Sequence, residues 1–127
     1  LAEHRVILEG TILKANMVIS GKKCSTQASS IEIAKATVAT FLEVAPSVLP
    51  GIVFLSGGQT PDQATENLAQ INMIAGSPWQ LSYSYGRALQ DEALTAWAGK
   101  DENVESAQKT FLERANKVSG ARSQKPA

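Results

Sequence analysis

Glu9-Gly10-Thr11-Ile12-Leu13-Lys14-Ala15-Asn16-Met17-Val18 sets one amine inside an almost unbroken apolar run. With Val6-Ile7-Leu8 before it and Ser20-Gly21 to stop it, the run predicts a strand buried on both faces, the pattern of a parallel sheet. Two more segments fit beside it. Ile52-Val53-Phe54-Leu55 is a second wholly apolar strand, entered from Pro50-Gly51 and broken by Ser56-Gly57-Gly58. Trp79 to Tyr85 is a third, with Trp79, Leu81, Tyr83 and Tyr85 on one face and Gln80, Ser82 and Ser84 on the other, closed by Gly86-Arg87.

Helical patterns lie between and after these strands. Ser29 and Glu32 have capping-box spacing ahead of Ile33, Thr37, Val38, Phe41 and Val44, and Pro46 ends that helix. Thr60, Pro61 and Gln63 open another, with Ala64, Leu68 and Ile71 as its apolar stripe, and Gly76 and Pro78 close it. A third carries Leu89, Ala93, Leu94 and Trp97 up to Gly99. Asp101 is expected to cap a last one carrying Val104, Ala107, Phe111, Ala115 and Val118. Residues 1–119 are expected to form one domain and residues 120–127 a polar, flexible tail. Strand, helix, strand, helix, strand, helix, helix is the order of consecutive βα units with right-handed crossovers. That order fits either an open doubly wound sheet or part of a (β/α)8 barrel. Anion-friendly loops after the last two strands favour the barrel, whose phosphate site commonly uses them.

Composition narrows the function. The 127 residues carry 12 Lys and Arg against 12 Asp and Glu, so no basic field marks a nucleic-acid partner. No apolar run approaches the roughly 20 residues of a membrane span, and no leader pattern opens the chain, which predicts a soluble protein. Cys24 is the lone cysteine and His4 the lone histidine, so a disulfide, a cysteine-rich zinc site and histidine-based chemistry are all poorly supplied. Leu1 leads straight into the apolar pattern without a start signal, the expectation for an excerpt or a processed chain.

Three places carry candidate chemistry. An amine buried at Lys14 would have a lowered pKa and be able to attack a carbonyl. The alternatives are a lysine at the strand's solvated end, or one that pairs with a carboxylate such as Glu9. Ser56, Gly57 and Gly58 sit at a strand's carboxyl end just before a capped helix, where backbone N–H groups, a close-approaching backbone and a hydroxyl suit an anion. Otherwise they are a plain strand-to-helix turn. Ser84, Gly86 and Arg87 repeat the arrangement one strand later, with a planar guanidinium added. Trp79 and Trp97 read as core. Asp62, Glu66, Asp91 and Glu92 read as first-turn acids that suit the helix dipole and do nothing more.

Together these segments resemble class I fructose-bisphosphate aldolase over nearly the whole chain. Glu9 to Val18 is similar to that family's Schiff-base strand, usually Leu-Glu-Gly-Thr-Leu-Leu-Lys-Pro-Asn-Met-Val, with Lys14 on its imine-forming lysine. Phe54-Leu55-Ser56-Gly57-Gly58-Gln59 and Ser84-Tyr85-Gly86-Arg87-Ala88-Leu89-Gln90 resemble its two phosphate-contacting strand ends. Ala15 stands where the family usually has proline, and the connection before Pro78-Trp79 is slightly short. The resemblance implies a TIM barrel of which this chain supplies about the sixth to eighth strands plus a C-terminal helix. It also implies a metal-free, cofactor-free lyase that cleaves fructose 1,6-bisphosphate through a lysine imine. The full-length protein would be a cytoplasmic homotetramer, with a plastid form as the alternative. The family's proton-transferring glutamate, second lysine and aspartate come from earlier strands, and its tyrosine-ended tail has no counterpart here. Three other readings stand beside this one: a non-catalytic piece that keeps only phosphate contacts, a lysine-dependent aldolase for another phosphosugar, and an interaction module with no small-molecule site.

Overall fold

In the computed structural model, which describes residues 1–126, three short strands form one parallel sheet in chain order: β1 (Ile12–Ala15), β2 (Gly51–Phe54) and β3 (Gln80–Tyr83). The register sets Leu13 beside Ile52 and Ile52 beside Leu81, and one residue on it sets Lys14 beside Val53 and Val53 beside Ser82. Side chains alternate across a strand, so the two rows face opposite ways. Ile52, Phe54 and Leu81 are buried, whereas Lys14 is exposed and Val53 and Ser82 are half-buried.

Every helix lies on the side of Ile52 and Phe54. Phe41 of α1 (Ser30–Val44) meets Phe54 with ring centroids 5.9 Å apart. Leu68 and Ile71 of α2 (Pro61–Asn72) and Val118 of α4 (Val104–Arg122) close the same core, each with no exposed surface. α3 (Arg87–Trp97) packs on α2 and α4. Sequential neighbours with one-sided helices make an arc of a barrel. A doubly wound sheet would reverse its strand order and cover both faces.

Local chemistry accounts for the helix starts. Both expected capping boxes form: Ser29 accepts from the Glu32 N–H and Thr60 from the Gln63 N–H, and each N3 side chain returns the bond to its cap. Ala64, Leu68 and Ile71 are fully buried, as their spacing requires. Trp79 precedes its strand yet is buried, its indole N–H donating to the Pro46 carbonyl at 2.9 Å.

Several expectations are corrected. Val6-Ile7-Leu8 is not strand: Leu8–Gly10 is a 3-10 turn and Ile7 is 72% exposed. β1 is not buried on both faces, since Ile12 is 62% exposed and, among the described residues, only β2 pairs with it. Trp97 and Phe111, placed in the core by periodicity, are 41% and 42% exposed and line a surface groove with Leu94 and Val104. Asn103, not Asp101, stands at the N-cap of α4. That helix runs through Arg122 with Ala121 buried, so the stretch expected as tail begins as ordered helix.

Candidate active site at the strand carboxyl ends

The carboxyl ends of β1, β2 and β3 bring the three motifs together. Backbone bonds continue past the strands: the Leu55 N–H donates to the Ala15 carbonyl and the Ser84 N–H to the Phe54 carbonyl, both at 2.9 Å. These bonds fix where each loop departs. Lys14 and Ser84 then meet on the open face of the sheet, where the Lys14 ammonium donates to the Ser84 hydroxyl at 3.1 Å. The contact spans β2, from one edge strand to the other.

The turn after β2 is shaped for close approach. The Gln59 N–H donates to the Ser56 carbonyl at 3.0 Å, and Gly58 holds φ +82, a conformation that L side chains rarely adopt. A Cβ on Gly57 would come within 3.0 Å of the Leu55 side chain. Among the described residues no hydrogen bond engages the Gly57 or Gly58 N–H, and Ser56 is buried beside them. The turn after β3 ends differently from the other two. α1 and α2 have side-chain caps, but α3 starts at Arg87 with Gly86 as N-cap and no side-chain cap. The Leu89 N–H donates back to the Gly86 carbonyl at 3.0 Å, and the exposed Arg87 guanidinium at the helix start is suited to an anion.

Lys14 is exposed, so its desolvation within an apolar strand, expected from the run of neighbours, is not met in the described chain. The physical reason is the open face: Val53 and Ser82 flank it on one side, and nothing described covers it on the other. Among the described residues no group of three histidine, cysteine, aspartate or glutamate side chains could hold a metal ion.

Sequence reasoning missed Arg114. Its side chain is 2% exposed and makes four hydrogen bonds: Nε and Nη2 donate to the two Glu92 carboxylate oxygens at 2.7 Å, Nη2 to Asp62 Oδ1 at 2.7 Å, and Nη1 to Thr65 Oγ1 at 3.1 Å. The hydrogen bond from Arg114 holds the Glu92 and Asp62 carboxyls below their ordinary values, and the Glu92 bond in turn raises the guanidinium's own pKa. Asp62 and Glu92 are therefore more than dipole-matching acids, and Asp91 and Glu92 lie beyond the first turn of α3. A signal was present. Arg114 falls four residues before Val118 and seven before Ala121, on the buried stripe of its helix, where an arginine needs partners.

The family model for class-I fructose-bisphosphate aldolase matches residues 1–126. The chain belongs to that family. It is 51% identical over 122 residues to "Fructose-bisphosphate aldolase 4, cytosolic" of Arabidopsis thaliana, which covers 95% of this chain and 31% of the relative. It is 54% identical over 117 residues to "Probable fructose-bisphosphate aldolase class 1" of Xanthomonas axonopodis pv. citri, covering 91% and 35%. Among solved structures, fructose-bisphosphate aldolase from Plasmodium falciparum, in complex with TRAP and a small-molecule inhibitor, superposes with a TM-score of 0.90 at 44% identity. That match covers 96% of this chain and 35% of the other. The chain spans about a third of the length of the aldolases it matches. Its sheet is accordingly part of the aldolase TIM barrel, with the open face toward the barrel interior and the helices outside. No helix among the described residues is long and apolar enough to cross a membrane.

Proposed function

We propose that this chain supplies the imine-forming lysine and a phosphate cradle of a fructose-bisphosphate aldolase. The observation that carries the proposal is the 3.1 Å contact of Lys14 Nζ with Ser84 Oγ, which seats the amine at the mouth of two loops rich in unpaired N–H donors. Ser56, Gly57, Gly58, Ser84, Gly86 and Arg87 hold a substrate phosphate, and the ketone carbon is thereby brought over the amine. Lys14, as the free amine, adds to that carbon. Loss of water then leaves an iminium, which accepts the electron pair of the bond between the third and fourth carbons as it breaks. Glyceraldehyde 3-phosphate departs after its hydroxyl proton is removed. Protonation of the enamine and hydrolysis return dihydroxyacetone phosphate and the lysine. The proton transfers fall to groups outside these 127 residues, so the chain by itself turns over poorly, as expected when members of a cooperating unit are missing. We extend the proposal to a homotetrameric full-length protein in the cytosol, the compartment in the Arabidopsis relative's name.

Borohydride reduction in the presence of dihydroxyacetone phosphate, followed by peptide mass analysis, tests the assignment in a full-length context. The expected adduct is on Lys14. An adduct on Lys22, Lys23 or Lys35 with Lys14 unmodified would overturn it. Lys14→Arg keeps the charge but, being always protonated, cannot condense with a ketone, and is expected to bind sugar phosphate without turnover.

A further inference from the structure

Two features stand outside the site as described, an apolar groove along α3 and α4 and the buried guanidinium of Arg114, while a polar cleft of about 930 Å³ between the loop after β1 and the start of α2 adjoins it through Gly57 and Gly58. Only the guanidinium is tied by geometry to specific partners on both helices that follow the loops. Resting on the phosphate reading above, we propose that Arg114 is a positioning residue for substrate binding: from α4 it fastens together the two helices whose starts form the two anion-binding loops.

The placement of its partners makes the argument. Asp62 is the second residue of α2 and follows Thr60, the cap that ends the Ser56-Gly57-Gly58 turn. Thr65 is one turn further along the same helix and ties back through its hydroxyl to the Pro61 carbonyl at 2.7 Å. Glu92 lies on α3, the helix that begins at Arg87. One rigid planar group therefore sets the distance between the start of α2 and the body of α3. Short bonds of 2.7 Å to both carboxylates leave little play.

The energetics point the same way. Burying an arginine is costly even when it is paired, and an apolar side chain of similar volume often serves stability as well or better. With Arg114 buried and both carboxylates reaching it from a partly exposed surface, the network is suited to holding orientation as well as contributing stability. Orientation is what the loops require. Free N–H groups at Gly57, Gly58 and the start of α3 act on one phosphate only while their spacing is held, and a displacement of about 1 Å at a reacting site can cost about 100-fold.

The test uses a full-length context. Arg114→Met removes the network while keeping bulk, Arg114→Lys restores one point contact, and Arg87→Ala serves as the reference for the phosphate site itself. Binding of inorganic phosphate is measured calorimetrically, kcat and KM with fructose 1,6-bisphosphate, and folding by urea denaturation. Arg114→Met is expected to weaken phosphate about tenfold and to raise KM by the same factor with a smaller loss in kcat, Arg114→Lys recovering part of the loss. A lowered denaturation midpoint with phosphate binding unchanged would make Arg114 structural only and overturn the proposal. If Arg87→Ala weakens phosphate and Arg114→Met does not, the positioning role alone falls. If Arg87→Ala changes nothing, the phosphate site falls and the inference with it. Should Arg114→Met not fold, Asp62→Asn and Glu92→Gln carry the test, because each leaves Arg114 one carboxylate. Either one weakening phosphate several-fold supports the role, and both binding like the parent refute it.

Discussion

Replacing Arg87 by alanine separates binding from folding because of where the residue stands. It is exposed at the first position of α3 and, among the described residues, forms no salt bridge, so its loss should move the folding free energy by no more than about 0.5 kcal/mol. Phosphate binding should respond far more. A guanidinium offers two parallel donors to phosphate oxygens, and truncating a charged partner in a partly desolvated site costs about 2 to 4 kcal/mol. That range corresponds to roughly 30- to 1,000-fold in a dissociation constant. The loss should be shared between inorganic phosphate and sugar phosphate, since both present the same oxygens to Arg87. In a full-length context, calorimetric titration with each ligand and a urea denaturation curve measure the two quantities on one preparation. Ser56→Ala, which removes a single hydroxyl from a buried position, should weaken binding less. Unchanged KM and kcat in Arg87→Ala would make Arg87 a surface charge and remove the guanidinium from the proposed cradle.

Of the other consequences, the first can be checked on the 127-residue chain itself and the rest in a full-length context. The unpaired edge of β1 and its exposed Ile12 should make the isolated chain associate at micromolar concentration; sedimentation as a monomer with cooperative unfolding would contradict this. Phe54→Ala should destabilise the fold by about 3 to 5 kcal/mol, because the ring is fully buried against Phe41 and leaves a cavity; a denaturation midpoint shifted only slightly would show that the core re-closes. Arg114 depresses the Glu92 and Asp62 carboxyls below their ordinary 4.5 and 3.8, so the folded state binds fewer protons than the unfolded state in that range. The stability they contribute is present above about pH 4.5 and is lost as pH falls through the folded values; acid denaturation of Arg114→Met should show a smaller dependence over that window.

Legibility in the sequence followed the range of the interactions involved. Capping boxes at Ser29 and Thr60 are three-residue events, and both formed as spelled. Phe54, Leu68 and Ile71 were readable because a fully apolar strand and a strict helical stripe have few other ways to be buried. The α4 stripe was read from apolar residues alone, Val104, Ala107, Phe111, Ala115 and Val118, and came out rotated. Its buried line is Arg114, Val118 and Ala121, because two carboxylates from other helices make the arginine's burial tolerable. No local pattern announces partners 22 and 52 residues away. Lys14 illustrates the opposite failure: its neighbours in sequence are apolar, but the row it belongs to on the sheet is Lys14, Val53 and Ser82, and that row faces away from the helices.

The same open face ties together the chain's exposed apolar surface and the chemistry assigned to Lys14. A lysine attacks a carbonyl as the neutral amine, and the environment that favours the neutral amine is one that excludes water or places another cation nearby. The open row of β1, β2 and β3 leaves Lys14 exposed with the Ser84 hydroxyl as its partner. What these strands do supply is direction: ladder bonds from Ala15 and Phe54 carry the loops out on one side, and the amine and the free N–H groups emerge together. In a closed barrel, the strands that pair with the edge of β1 would cover Ile12 and wall in Lys14 at once. The closure that would remove the unpaired edge would thus also enclose the proposed nucleophile, whereas the proposed phosphate cradle draws on the two loops and the helices behind them.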